Sequence, residues 1–347
     1  MENKNFCLSS YMAFRYIWKD GVDFYKGFRH RNFEPVGKAD QIPVRTSDDI
    51  DREIAKQFEQ LYARYENIGI LLSGGMDSAN LAAYLKPGSH AYTFTSATGV
   101  FDDDVKRARY YCEKFGLIHH LIEITFDDYK KYTPIVMAAK NAPVHSIEPQ
   151  IYKAAIQAKK DGVEMVIVGE SADLIFGGMD KLISPKWDYE GFAKRYTFLE
   201  PELVLKEPVS QYELFEKYRR GNTGIDYMRF MDEVFSVESS GSYWNAFSVA
   251  QLPYYDPYAR LTMAEPLDME RVRSGEPKYL VRGLYAMKYP ELEIPFKIPM
   301  PRPVDKIFEK WEGPRRPEYR QDIPMDKLTG NQKWQLWCAE LFLNLFD

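Results

Sequence analysis

The sequence predicts an α/β fold, a doubly wound parallel sheet followed by a mostly helical C-terminal part. Three observations carry this. The apolar runs at 68–72 and 164–168 read as buried strands, and each ends directly in a glycine-bearing turn. Between them, segments of helical spacing alternate with short strands, the pattern of βαβ units. Beyond about residue 186 the strand signals fade and helical windows joined by proline-rich connections take over.

Ser47-Asp48-Asp49-Ile50-Asp51 opens the first helix of the core, with a capping hydroxyl and acids in the first turn. Ile50, Ile54, Phe58, Leu61 and Tyr65 then recur at helical spacing. The strand at 68–72 follows, then a glycine-serine turn and a helical run over 79–85. Ala91-Tyr92-Thr93-Phe94-Thr95 is a second strand. A helix over 102–115 has Val105, Ala108, Cys112 and Phe115 on one face, and Leu121-Ile122-Glu123-Ile124 is a third strand. A helix over 150–159 and the strand at 164–168 complete a core spanning 46–185. Residues 186–347 read as a helical part laid over the carboxyl edge of the sheet, with windows at 225–234 and 330–346. Residues 1–45 stand apart as an N-terminal segment.

Bulk properties narrow the function. With 347 residues and 45% hydrophobic content the chain can build substantial cores. A net charge of −5 without a lysine/arginine block disfavours a nucleic-acid partner. Three cysteines at wide spacing indicate neither a disulfide framework nor a zinc motif. The five histidines offer no ligand pair at helical spacing. His119 and His120 are neighbours on a strand and face opposite ways, so packing and hydrogen bonding are their expected roles. No N-terminal targeting segment and no run of about eighteen apolar residues is present, which predicts a cytoplasmic protein without a membrane partner.

The chemistry lies in the two turns. In Ser73-Gly74-Gly75-Met76-Asp77-Ser78 the glycines allow close backbone approach to a phosphate, and the hydroxyls and turn N–H groups can bind its oxygens. The spacing is neither Gly-x-x-x-x-Gly-Lys-Ser/Thr nor Gly-x-Gly-x-x-Gly. Asp77 would repel a bare phosphate, so its presence predicts a divalent cation between them. The second turn, Gly169-Glu170-Ser171-Ala172-Asp173-Leu174-Ile175-Phe176-Gly177-Gly178, emerges at the same carboxyl edge, so Asp77 and Asp173 are expected to converge on one Mg²⁺.

These two motifs resemble the synthetase domain of the asparagine synthetase family, which includes the β-lactam-forming synthetases. Tyr92-Thr93-Phe94-Thr95, Phe101-Asp102-Asp103-Asp104 and His119-His120 follow the family's order. The resemblance implies a sheet of the adenine nucleotide alpha hydrolase (PP-loop) type. It implies an ATP- and Mg²⁺-dependent ligase that adenylates a small-molecule carboxylate, releases pyrophosphate and forms an amide. Leu72, Ser73, Gly74, Gly75, Asp77, Ser78, Thr95, Gly169 and Glu170 would bind ATP and pyrophosphate, with Asp77 and Asp173 on the metal. The family's catalytic lysine lies in a C-terminal loop after a Lys-Tyr-Leu helix, which by position is Lys297. Lys278 and Arg282 would contact phosphate or acids.

Departures from the family pattern shape the expectation. Ser171 and Leu174 replace a glycine and an acid of the second motif. Val249 and Gln251 stand where the family has glutamate and arginine, so the acceptor is expected to differ from aspartate, with Tyr254, Tyr255 and Asp256 lining its pocket. Residues 1–45 resemble the end of a glutaminase domain, but Cys7 is internal and reads as a small buried hydrophobe, so no glutamine hydrolysis is expected. Nitrogen would come from ammonia, an amine or a separate glutaminase, and a homodimer is compatible with this reading. Two alternatives are a sulfur-transferring enzyme with the same loop and a non-catalytic, degenerate nucleotide-binding relative.

Overall fold

The computed structural model describes residues 1–295 and 301–347. Its centre is a five-stranded, all-parallel sheet. In chain order the strands are β1 (Ile42–Val44), β2 (Ile68–Leu71), β3 (His90–Thr95), β4 (Ile118–Glu123), β5 (Met165–Ile167), β6 (Arg219–Arg220), β7 (Gly224–Ile225), β8 (Tyr254–Tyr255) and β9 (Leu261–Met263). The central sheet runs β4-β3-β2-β5-β8. β1 pairs with β9, and β6 with β7 in a small hairpin. The chain winds outward from β2 to β4, then returns to lay β5 on the other side of β2. That reversal opens a crevice between the carboxyl ends of β2 and β5, where ligands bind in such sheets.

The first seven helices are α1 (Lys4–Phe14), α2 (Ser47–Tyr62), α3 (Met76–Ala82), α4 (Asp102–Phe115), α5 (Phe126–Lys140), α6 (Glu148–Lys160) and the single turn α7 (Ala172–Ile175). α2 and α5 start at capping boxes in which Thr46 and Thr125 pair reciprocally with Asp49 and Asp128. α4 ends at Gly116 in the left-handed region, which only a residue without Cβ adopts freely.

Strand residues alternate between two cores, as the period of two requires. Ile68, Ile70, Leu72, Met165 and Ile167 face α2, α3, α4 and the helix Tyr279–Lys288. Leu71, Tyr92, Phe94, Val166 and Val168 face α5, α6 and the helices Ser236–Ala250 and Gly330–Phe346. α1 belongs to this second core: Cys7 and Tyr11 are fully buried, and the Tyr11 hydroxyl donates to the Val144 carbonyl at 2.7 Å. A third, aromatic-rich core gathers Tyr189, Phe192, Phe215, Phe230 and Met231.

The C-terminal half is mostly helical, with two additions. β8 extends the sheet as its fifth strand, too short to show a period in sequence. The long helix at 236–250 was not expected, because serine and glycine are weak helix formers. Its small residues Gly241, Ser242 and Ala246 are buried, and packing onto α5 and α6 overrides propensity.

A buried ion pair ties this layer together. Lys140 Nζ meets Glu148 Oε1 at 2.9 Å, and Asn245 Nδ2 donates to Glu148 Oε2 at 2.8 Å. Glu148 is fully buried, so Glu148→Ala strands an ammonium and should cost about 3–5 kcal/mol in urea unfolding. Asp127→Asn, which cuts the exposed Lys130–Asp127 pair, should leave the midpoint unchanged.

Candidate active site

β2 runs into residues 73–78, and the glycines there are dictated by crowding. Gly74 has φ +71°, and a Cβ on it would lie 2.5 Å from the Asp104 carbonyl oxygen. Arg107 of α4 holds the turn from behind: its Nε donates to the Gly74 carbonyl at 2.9 Å while Nη2 pairs with Asp104 at 2.7 Å. Burial pushes the Asp104 carboxyl up to about 6 despite that arginine. The Ser73 and Ser78 hydroxyls lie 3.1 Å apart, Ser78 Oγ accepts from the Ser73 N–H at 3.2 Å, and Ser73 Oγ accepts from the Gly75 N–H at 3.3 Å. No side chain caps α3 at Gly75. The result is a small ring of hydroxyls and backbone N–H groups at the crevice.

β5 delivers the second turn alongside. Gly169 packs against the backbone of Asp77, and Gly178 packs so closely on Asp173 that a Cβ there would collide with its carboxylate and with Lys278 Cδ. Among the described residues, one cation stands between the two acids. Lys278 Nζ lies 2.9 and 2.7 Å from the two oxygens of Asp77 and 2.7 Å from Asp173 Oδ1. The lysine side chain is 5% exposed. Burial alone would lower its pKa, but the two carboxylates outweigh burial and raise it, so it is charged at neutral pH. It is delivered in a left-handed conformation (φ +56°) at the cap of the helix Tyr279–Lys288.

Next to this bridge, Glu170 and Asp256 form the floor of a cavity of about 1160 Å³. Asp256, at the end of β8, accepts from the Ser171 N–H at 2.7 Å and the Tyr258 N–H at 3.0 Å. Tyr258 in turn donates to the Asp77 carbonyl at 3.2 Å, which joins the two halves of the site. Glu170 accepts from the Ser239 hydroxyl. Both acids keep one side open to the cavity, yet the surrounding protein disfavours their charged forms: Glu170 is pushed up to about 7 and Asp256 to about 6, and Asp173 and Asp256 add repulsion at Glu170. Tyr254 and Tyr255 line the same cavity; Tyr254 stacks on Phe247 at 5.0 Å, and the Tyr255 hydroxyl donates to Gln57 at 3.0 Å. Met179, Met228, Met231, Met263 and Leu267 make the walls largely apolar.

A model of the asparagine synthase family matches residues 51–269. The chain belongs to the asparagine synthase family. Among curated proteins, an asparagine synthetase (glutamine-hydrolyzing) from Asparagus officinalis is 31% identical over 123 residues, 32% of this chain and 21% of that protein. The chain thus spans about a fifth of that relative. Among solved structures, an NMN synthetase from Francisella tularensis (11% identity, TM-score 0.29) aligns over 73% of this chain and 98% of its own. A U34-tRNA thiolase, NcsA, from Methanococcus maripaludis (14% identity, TM-score 0.28) aligns over 72% and 83%. The family match takes in both glycine turns at the crevice, and the sheet that carries them is all-parallel and wound in both directions from β2.

Within this asparagine synthase framework, the residues singled out from sequence come to three places. Leu72, Ser73, Gly74, Gly75, Asp77, Ser78, Gly169, Glu170 and Asp173 meet at the crevice, and Thr95 ends the neighbouring strand β3. Tyr254, Tyr255 and Asp256 line the cavity. Lys297 lies outside the described residues. Val249 packs against a core and Gln251 caps its helix at φ +53°, so neither lines the cavity. Arg107, Ser239 and Tyr258 were not anticipated. Arg107 had a signal, an i,i+3 spacing from Asp104, whereas the other two depend on tertiary packing.

Two carboxylates converging on one point fit a divalent cation as well as an ammonium. Lys278→Ala should therefore cost about 2–3 kcal/mol, less than a fully buried pair because both acids keep some solvent contact. Millimolar Mg²⁺ should restore part of the lost melting temperature in Lys278→Ala and add little to the parent protein. Thermal unfolding with and without Mg²⁺ measures both.

Proposed function

We propose that the chain adenylates a small-molecule carboxylate with ATP, releases pyrophosphate, and passes the acyl group to ammonia or an amine to give an amide and AMP. The observation that carries this is the linkage of two unlike compartments, the hydroxyl-lined turn with its Asp77–Lys278–Asp173 cluster and the cavity lined by Glu170 and Asp256, which Tyr258 joins by bonding both Asp256 and the Asp77 carbonyl. One suits a polyphosphate, the other an organic acid. In-line attack of a carboxylate oxygen on the α-phosphorus requires them side by side.

In this reading Ser73, Ser78 and the glycine N–H groups hold the pyrophosphate. Lys278 supplies fixed positive charge where negative charge gathers on the leaving group. Asp77 and Asp173 would hold Mg²⁺ once bound ATP draws the Lys278 ammonium onto its phosphates, and the ion when bound neutralises them. Glu170 sits at the boundary, near-neutral in pKa, and is suited to take the proton that the nitrogen nucleophile loses during attack. The nitrogen would reach the site as free ammonia, as an amine, or from a separate glutaminase.

The cavity also speaks to the acid. A volume of about 1160 Å³ exceeds the roughly 300–1,000 Å³ of ordinary small-molecule sites. Its methionine-rich wall is adaptable and apolar. Both features support an acid on a bulky, partly apolar body in place of a free amino acid. Sulfur transfer is less well supported: Cys7, Cys112 and Cys338 are all buried, and burial pushes each thiol up to about 12.

Pyrophosphate release from ATP and Mg²⁺ should require an added carboxylate and disappear in Asp77→Asn. A panel of acids read by AMP formation in mass spectrometry tests this; ATP binding without turnover across the panel would refute it. The rate should also depend on pH. Because the Glu170 pKa is raised, its carboxylate form appears only as pH climbs through about 7, so kcat/KM for the amine should rise across that range. Glu170→Gln should flatten this limb and lower the plateau by about 10²–10⁴-fold. A limb that survives the substitution removes Glu170 as the base.

A further inference from the structure

Far from the crevice, toward the amino edge of the sheet, three metal-ligating side chains come together from three elements. His90 is the first residue of β3, His120 lies in β4, and Asp161 follows α6 in the turn that leads to β5. The register explains the meeting. Tyr92 and His120 are paired across β3 and β4, and His90 stands two residues before Tyr92, so His90, Tyr92 and His120 share one face. Asp161 comes onto that face from the end of α6. His119 points to the other face and hydrogen-bonds the Thr93 hydroxyl at 2.8 Å.

We propose that His90, His120 and Asp161 form a binding site for a divalent transition-metal ion of the zinc type, distinct from the Asp77–Asp173 pair. His90 Nδ1 and His120 Nε2 face each other at 2.8 Å, and one ligating atom from each of the three residues falls within 4.8 Å of the others. Two imidazole nitrogens aimed at one point are bridged either by a shared proton or by an ion. With zinc–nitrogen bonds of about 2.0–2.1 Å, tetrahedral ligands stand about 3.3 Å apart, so the near-parallel rings must part by about half an ångström and turn until both lone pairs meet on the ion.

The outer groups fit the same reading. Tyr92 donates its hydroxyl to Asp161 Oδ2 at 2.9 Å, and Gln157 Nε2 donates to Asp161 Oδ1 at 2.9 Å. A ligating carboxylate needs such orienting donors, and they leave its remaining lone pairs for the ion. A solvent-open cleft of about 560 Å³, lined by His120, Gln157, Lys153 and Lys160, supplies an entry path and room for a water as fourth ligand. The donor set also selects: two imidazoles and one carboxylate suit zinc and its neighbours, while Mg²⁺ prefers oxygen donors alone. An ion here would bind β3, β4 and the α6–β5 turn into one unit, a stabilising role independent of turnover.

The test uses the full chain freed of metal with a chelator, titrated with Zn²⁺ alone by calorimetry. One equivalent should bind, with a rise in melting temperature, and Co²⁺ should give the visible absorption bands of a four-coordinate site. His90→Gln and His120→Gln should weaken binding by about 100-fold or more, and Asp161→Asn, which keeps one acceptor oxygen for Gln157 and places an N–H that the Tyr92 hydroxyl can accept, by about tenfold. Asp77→Asn should leave the affinity unchanged. Circular dichroism checks that each variant folds. If a histidine variant does not fold, histidine ring resonances of the parent protein that shift with one equivalent of Zn²⁺ decide the matter. Absence of Zn²⁺ binding by the parent, or affinity that is the same in a folded His90→Gln or His120→Gln protein, overturns the proposal.

Discussion

The structure depends on one ammonium. Lys278 bridges Asp77 on the β2 turn and Asp173 on the β5 turn, and it arrives from a helix that is distant in sequence from both. Two acids this close would repel each other without a cation, and each would shift toward its protonated form. The bridge therefore does two things at once. It holds the two turns at the crevice in register, and it fixes the C-terminal half of the chain onto the sheet. A lysine in the left-handed region costs on the order of 1 kcal/mol in backbone strain, and two short ion pairs are enough to hold it there.

The sheet order makes that bridge reachable. Because β5 lies directly beside β2, the turns that follow them are neighbours in space although nearly a hundred residues separate them in sequence. β8 then adds Asp256 on the far side of β5, and the Tyr258 hydroxyl reaches back to the Asp77 carbonyl. Three segments of the chain thus end at one edge with their polar groups already paired. The acidic groups are graded by surroundings: Asp77 and Asp173 meet a fixed cation, whereas burial drives Glu170 and Asp256 toward neutrality.

Much of this was legible in the sequence because it is local. The strand-turn-helix units at 68–82 and 165–175 need only an apolar run, a glycine turn and helical spacing, and these survive without knowledge of the partner strands. The last helix was equally plain as a window at 330–346, and the observed helix is Gly330–Phe346, opened by a capping box between Thr329 and Gln332. What the sequence hid is tertiary. Tyr254–Tyr255 is too short to show a period, and the helix at 236–250 is built from residues that favour it only when packed. Lys278 was visible as part of a Lys-Tyr-Leu segment that would touch phosphate or acids. Its place between both aspartates follows from the fold alone. His90 and His120 sit 30 residues apart, so no spacing rule joins them, and only strand register does.

The pattern of what is kept and what is changed has a physical direction. Residues of the two turns are constrained by crowding: Gly74 and Gly178 have no room for a side chain, and Asp77 and Asp173 meet the same cation. The methionines and Leu267 of the cavity wall are under no such constraint, because apolar side chains can be exchanged one at a time without stranding a charge. Val249 and Gln251 lie away from the cavity, where they serve packing and helix capping. The crowded turns and the cavity wall are thus separable parts of the molecule. The first are fixed by geometry within a few ångströms of Lys278, and the second is a broad methionine-lined surface that tolerates change.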